Sequence, residues 1–217
     1  GDRTISPDEY VYDFSFPREE GKPNPHLWTN PPHAKDYARI VRDTMSGRDP
    51  GRAGEYGANY ERFAAKVDEL DTALRAASAT VPKRELLTYH DAYAYFARDY
   101  GWRVIGAIQV SDFEEPTPRE VAALIRQVRQ VGVPAIFGSE VFPSPVLAQI
   151  GAETGVRYVD KLRDDDLPGR PGDPDHSWLG LMKFNFATMV EALGGDASAL
   201  KALQVADAAP DRAVYPQ

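Results

Sequence analysis

Cysteine is absent from the 217 residues of the chain. This absence excludes disulfide bonds, thiolate nucleophiles and cysteine-based zinc or iron–sulfur sites, and it is compatible with an oxidising or a reducing compartment. Long apolar runs are missing too. The longest apolar-rich run, residues 131–137, contains Gly132 and Pro134 and is far shorter than the roughly 18 residues that a membrane-spanning helix needs. The sequence therefore predicts a chain that does not cross a bilayer.

The chain also has no excess of basic residues. The chain has 25 basic and 33 acidic side chains, a formal net charge of −8. An acidic surface repels phosphate backbones, and no cluster of Lys and Arg with interleaved aromatic residues compensates, so nucleic acid is not expected as a partner. With 42% hydrophobic and 27% charged residues, the composition is that of an ordinary globular protein. The polar start of the chain lacks the apolar core of a secretion signal, so we expect a signal to be absent or removed.

Four regions are indicated by the distribution of turn formers and apolar spacing. Residues 1–31 have no sustained periodicity and predict an extended segment, and a helix is expected from Pro32 to just before Gly47. Apolar residues then recur at intervals of three and four along a second helix of about seven turns. The expected divisions are residues 1–50, a long helix at 51–81, a β/α lobe at 82–195 and a tail at 196–217.

The β/α lobe is predicted from short apolar runs that alternate with amphipathic segments, a pattern typical of a parallel sheet. Four β/α units can be counted, with strands at 85–89, 102–108, 133–137 and 156–159. Helices are expected at 91–100, from Thr117, from Ser144 to Gly155, and from Trp178 to Gly194. An acidic loop, residues 160–175, follows the fourth strand. The fold class is α/β.

Candidate functional residues follow the strands, because ligands of open parallel sheets bind beyond the carboxyl ends of the strands. His90 follows the first strand of the lobe, Glu140 the third, and Asp175 and His176 end the loop after the fourth. His26 lies ahead of the first helix. Imidazoles and carboxylates together suit a divalent transition metal.

Structural roles are an alternative for each of these residues. A histidine at the end of a strand is more often a hydrogen-bonded structural residue, Asp175 could cap the last helix, and Glu140 could be a solvated loop charge. His33, in the first turn of a helix, is expected to be structural.

Four motifs occur here in the order and spacing of one family. They are Asn-Pro-His-Leu-Trp at 24–28, Leu-Thr-Tyr-His-Asp-Ala at 87–92, Glu-Pro-Thr-Pro at 115–118 and Leu-Met-Lys-Phe-Asn at 181–185. From about Asn24 to Leu193, the chain resembles the zinc/manganese substrate-binding proteins of bacterial ABC importers.

The resemblance implies two β/α lobes joined by one long rigid helix, which residues 56–77 resemble, with metal held between the lobes. It implies that His26 and His90 are metal ligands. Glu140 and Asp91 are expected beside the site, orienting an imidazole rather than touching the metal.

Two departures from the family pattern are evident. The family's carboxylate ligand falls on His176, with Asp175 beside it, so either residue is a candidate ligand. Nothing before Asn24 resembles the family's first ligand motif, and we expect most of the N-terminal lobe to be missing, with residues 1–50 as its remnant. Three candidate imidazoles favour zinc, with manganese as the alternative.

The leading hypothesis is a non-catalytic, substrate-binding component of a zinc or manganese ABC importer. By resemblance it lies outside the cytoplasm, in the periplasm or as a lipoprotein at the cell surface, and it docks on a membrane permease. One alternative is a metal-dependent hydrolase with Glu140 or Asp91 as base. Another is a metal-free adhesive or interaction module on the same fold.

Overall fold

The N-terminal segment has little regular structure, as its composition predicts. The computed structural model describes residues 5–109, 116–139, 144–163 and 166–206, without the side chain of Gln109. Within the segment, three short 3₁₀ turns are formed at Pro7–Glu9, Arg18–Glu20 and Leu27–Thr29. The segment packs on the rest of the molecule through side-chain hydrogen bonds, which bring His26 to the lobe.

Two helices follow and form a hairpin. Helix α1, Pro31–Arg48, begins with two prolines after its N-cap Asn30, the positions at which a missing N–H costs nothing. Helix α2, Ala53–Thr80, has 28 residues and is about 42 Å long at 1.5 Å per residue. The buried residues of α2 begin at Ala64, so its second half packs on the lobe, and α1 packs along α2.

Four strands form the sheet of the lobe: β1 at Glu85–His90, β2 at Arg103–Gln109, β3 at Ala135–Ser139 and β4 at Arg157–Leu162. All described pairings are parallel and the strand order is β2-β1-β3-β4. This confirms the predicted α/β class and the parallel sheet. Because β1 lies between β2 and β3, its carboxyl end is at the middle of the sheet edge.

Helices connect and follow the strands: α3 at Ala94–Tyr100, α4 at Pro118–Val131, α5 at Pro145–Thr154, α6 at Trp178–Ala192 and α7 at Ser198–Ala202. The Thr117 side chain and Glu120 form the capping box that starts α4, and the Ser144 side chain caps α5. None of the helices in the described part of the chain is long and apolar enough to span a membrane.

Several boundaries differ from the prediction: α1 runs through Gly47 to Arg48 instead of ending before Gly47, and β4 extends to Leu162. Two other differences have a physical cause. The third strand begins at Ala135 rather than Val133, because Pro134 has no N–H to give to a neighbouring strand. Helix α3 begins at Ala94 rather than Asp91. The carbonyls of Asp91 and Ala92 accept side-chain hydrogen bonds from the N-terminal segment instead, and these two residues stay outside the helix.

The core has two apolar clusters, one on each face of the sheet. One cluster joins α2, α3 and α6 to the sheet, with Leu74, Phe96 and Phe186 fully buried. The other lies beneath α4 and α5, around Ile125, Ile136 and Leu147. His90, the last residue of β1, is therefore carried by a strand that is packed on both faces.

Candidate metal centre

His90 is the last residue of β1, at the predicted edge of the sheet. His90 pairs with Gln109 on β2, and on the other side β1 pairs with β3 at Thr88. Earlier in the same strand, Leu86, Leu87 and Thr88 are buried. The backbone that carries His90 is therefore held by a neighbouring strand on each side.

His26 is carried by a turn that Asn24 organises. The Oδ1 atom of Asn24 accepts the backbone N–H of His26 at 2.8 Å and lies 2.9 Å from Nδ1 of its ring. The Nδ2 atom of Asn24 donates to Oδ2 of Asp13 at 2.7 Å and to the carbonyl oxygen of Asp91 at 2.9 Å. Asn24 itself is 1% exposed, and its amide therefore ties three separate segments together.

Further side-chain hydrogen bonds attach this turn to the lobe. The Thr29 hydroxyl has one hydrogen to donate and lies 2.6 Å from the carbonyl oxygen of Ala92 and 2.9 Å from that of His26. The Tyr95 hydroxyl donates to the carbonyl of Asn24 at 2.8 Å. The indole N–H of Trp178 donates to the carbonyl of Trp28 at 3.1 Å. His26 is therefore placed against the sheet edge by bonds from the loop after β1, from α3 and from α6.

The two rings meet across this junction. The Nε2 atoms of His26 and His90 are 2.9 Å apart, and the rings are perpendicular with centroids 4.6 Å apart. The expected approach of the two histidines, inferred from the resemblance, is confirmed. Whether they ligate a metal stays a prediction.

The environment keeps His26 neutral. Burial of the ring and, second, its proximity to His90 lower the pKa of His26 from 6.5 to about 4. A neutral imidazole has the nitrogen lone pair that a metal requires. The arrangement thus presents one neutral imidazole, edge to face with a second, at the end of a central strand.

Asp91, expected beside the site, is buried next to another acidic residue. Its side chain is 1% exposed, and neither carboxylate oxygen makes a hydrogen bond of good geometry to a residue that the structure describes. Burial, and then the charge of Asp13, raise the pKa of Asp91. Its contact with the site is made by its backbone, whose carbonyl accepts from Asn24.

Asp175 and His176 are placed just before α6. The His176 Nδ1 atom lies 3.0 Å from the carbonyl oxygen of Pro168, and Asp175 lines a groove of about 250 Å³ beside α6 with Lys183 and Glu191. Within residues 5–109, 116–139, 144–163 and 166–206, no three His, Asp or Glu side chains are grouped closely enough to share a metal. The structure therefore does not bring these two candidates into one cluster with the histidine pair, and their role as ligands stays a prediction. Glu140 lies outside the described residues.

Two residues of the site were missed by sequence reasoning. Asn24 precedes a proline and lies two residues before His26, which is the pattern of an Asx turn and could have indicated its bond to the His26 backbone. Asp13 gave no comparable signal, because its contact with Asn24 joins positions 11 residues apart in an irregular segment.

Comparison with known families matches the greater part of the chain. The family model described as the periplasmic zinc-uptake complex component A, ZnuA, matches residues 5–192.

Curated relatives include the iron-binding protein YfeA of Yersinia pestis, 28% identical over 176 residues, which are 80% of this chain and 56% of that protein. The manganese ABC transporter substrate-binding lipoprotein PsaA of Streptococcus pneumoniae serotype 4 is 26% identical over 81% of this chain and 57% of its own length. The chain thus spans somewhat more than half the length of these relatives.

Solved structures show the same fold. The periplasmic zinc-binding protein TroA of Treponema pallidum superposes with a TM-score of 0.76 at 26% identity, over 88% of this chain and 69% of TroA. A crystal structure of ZnuA gives a TM-score of 0.68 at 25% identity, over 79% of this chain and 61% of that one.

Proposed function

This chain belongs to the family of periplasmic zinc-uptake component A proteins, and from that premise we propose that it is the substrate-binding component of an ABC importer for a divalent transition-metal ion. The function is capture without a chemical step. Its relatives are named for zinc, manganese and iron, which supports a transition metal as the substrate class.

The observation that carries this proposal is the pair of Nε2 atoms 2.9 Å apart. Two zinc–nitrogen bonds of about 2.0–2.1 Å at a tetrahedral angle place the nitrogens about 3.3 Å apart. The two atoms therefore need to separate by only about 0.4 Å to hold the ion, a change that small rotations of both rings supply. The pair fits a metal ion as two of its ligands.

Further ligands are part of the same proposal. Asp175 and His176 remain the candidates, since a tetrahedral zinc ion needs donors besides two imidazoles. Glu140 and Asp91 are proposed to support the ligands rather than to bind the metal.

Zinc is the proposed metal and manganese the alternative. Neutral imidazoles suit zinc, whereas manganese favours more oxygen ligands. If Asp175 were the third ligand and water filled the remaining positions, the larger number of oxygen ligands would favour manganese over zinc.

Partners and location follow from the relatives. Related proteins are named as periplasmic or as substrate-binding lipoproteins of ABC transporters, which supports an extracytoplasmic location and docking of the loaded protein on a membrane permease. The acidic net charge of −8 supports the absence of nucleic acid from the partners.

Zinc titration of the metal-free protein tests the function. We expect one ion to bind per chain, measured by competition with a chelating dye. His26→Ala and His90→Ala should each weaken binding by more than about 100-fold, because each removes a ligand rather than a hydrogen-bond partner of a ligand. Binding that both variants leave unchanged, or an absence of stoichiometric uptake, would contradict the proposal.

A matched control and two further variants complete the experiment. His33→Gln removes a buried histidine outside the pair and should leave zinc affinity unchanged. Asp175→Ala and His176→Ala identify the further ligand by which of them weakens binding, and repeating the series with manganese ranks the two metals.

A further inference from the structure

Asn24 has a side-chain orientation that its backbone partners dictate. The carbonyl of Asp91 can only accept, so the amide nitrogen of Asn24 must face it, at 2.9 Å. The backbone N–H of His26 can only donate, so the amide oxygen must face it, at 2.8 Å. These two fixed groups determine the orientation of the amide without any reference to a titrating side chain.

The ring of His26 must then match this orientation. Its Nδ1 atom lies 2.9 Å from the same amide oxygen, which has no proton to give, so Nδ1 must carry the hydrogen of the neutral ring. The lone pair is left on Nε2, the atom that faces His90.

We propose that Asn24 is a positioning residue that holds His26 in the one tautomer able to bind metal through Nε2. Asp13 assists by accepting the second amide hydrogen of Asn24 at 2.7 Å. The role of the metal in this inference rests on the proposed function, whereas the tautomer is a property of the metal-free protein.

A consequence for His90 follows from the same geometry. Nitrogen atoms 2.9 Å apart need one hydrogen between them, and His26 keeps its hydrogen on Nδ1, so Nε2 of His90 must be the donor. To bind metal through Nε2, His90 has to release that proton to solvent and take another at Nδ1, with no net change in protons bound. His26 therefore already has the tautomer that binds metal, whereas His90 changes its tautomer when the metal binds.

Nitrogen-15 NMR of the metal-free protein tests the tautomers directly, since long-range proton–nitrogen correlations distinguish a protonated from an unprotonated ring nitrogen. We expect His26 protonated at Nδ1 and His90 at Nε2. Addition of zinc should move the His90 proton to Nδ1 and leave the His26 tautomer unchanged. A wild-type His26 protonated at Nε2 would overturn the inference, whatever the variants do.

Variants separate positioning from a structural role. Asn24→Ala should mix the tautomers of His26 and weaken zinc binding by about 10–100-fold. Asn30→Ala is the matched control, because Asn30 is a buried asparagine of the same segment whose amide donates to Asp99 at 2.7 Å. It should lower stability without changing the His26 tautomer.

The outcomes distinguish this inference from the proposed function. Zinc binding with an unchanged tautomer and affinity in Asn24→Ala would refute the positioning role and leave the function intact. A wild type with the expected tautomers that takes up no zinc would refute the function and leave the placement of the hydrogens standing.

Discussion

The half-buried ring of His26 should make the stability of the metal-free protein depend on pH. Its pKa is lowered from 6.5 to about 4, first by burial and then by His90. The unfolded chain therefore binds a proton at His26 between pH 6.5 and 4, and the folded chain does not. Stability contributed by the neutral ring is present above pH 6.5 and is lost as the pH falls through this window.

The magnitude follows from the shift. One pKa unit corresponds to about 1.4 kcal/mol, so at pH 5 the unfolded state has gained about 2 kcal/mol relative to the folded state from this one group. His26→Gln removes the titration while keeping a polar side chain beside Asn24. Urea unfolding of both proteins at pH 7.5 and pH 5, with a chelator present, measures the effect.

The quantity compared is the difference in free energy of unfolding between the wild type and His26→Gln. We expect this difference to fall by about 2 kcal/mol from pH 7.5 to pH 5. The difference is the informative quantity, because Asp91 titrates in both proteins and with the opposite sign. An NMR titration of the His26 ring is the direct check. A difference that stays constant to within 0.5 kcal/mol, or a ring that titrates near pH 6.5, would refute the reasoning.

Three further predictions concern stability. Asp91→Asn should raise the free energy of unfolding by about 1–3 kcal/mol at pH 8 and by less at pH 5. The reason is that the pKa of the buried Asp91 carboxyl is raised, so its ionisation destabilises the folded state as the pH rises. Urea unfolding measures the change, and an equal change at both pH values would contradict this reasoning. Gly180→Ala should destabilise the protein by about 2 kcal/mol or more, because a Cβ at this position would clash with the carbonyl oxygen of Asp175. The control is Gly54→Ala, a helical position with open space around it, which should stabilise the protein by about 0.5–1 kcal/mol. Thr117→Ala should cost about 1 kcal/mol through the lost cap of α4, and a thermal midpoint equal to that of the wild type would show that the cap contributes nothing.

Much of the lobe could be predicted because its signals are local. The threonine, proline and glutamate at residues 117–120 predict where α4 begins, and the structure has its first residue at Pro118. The proximity of His26 and His90, 64 residues apart, came from the family motifs, since periodicity and spacing carry no information about contacts at that range.

The parts that were missed depend on contacts between irregular segments. The bond from Asn24 to the Asp91 carbonyl spans 67 residues and delays the start of α3, which pattern alone places at Asp91. The positions of Asp175 and His176 depend in the same way on an irregular loop, in which the N–H of His176 donates to the carbonyl of Asp173.

The hairpin of α1 and α2 implies that the protein unfolds locally before it unfolds as a whole. From Lys35 to Phe63, a stretch that the structure describes throughout, no residue is buried, and Val41 on α1 is 61% exposed. Amide protons in this stretch should exchange with solvent through local openings, at rates insensitive to low concentrations of denaturant, while those from Ala64 to Thr80 exchange only when the lobe unfolds. The long helix is continuous from Ala53 to Thr80, and we expect its two halves to unfold in different cooperative units.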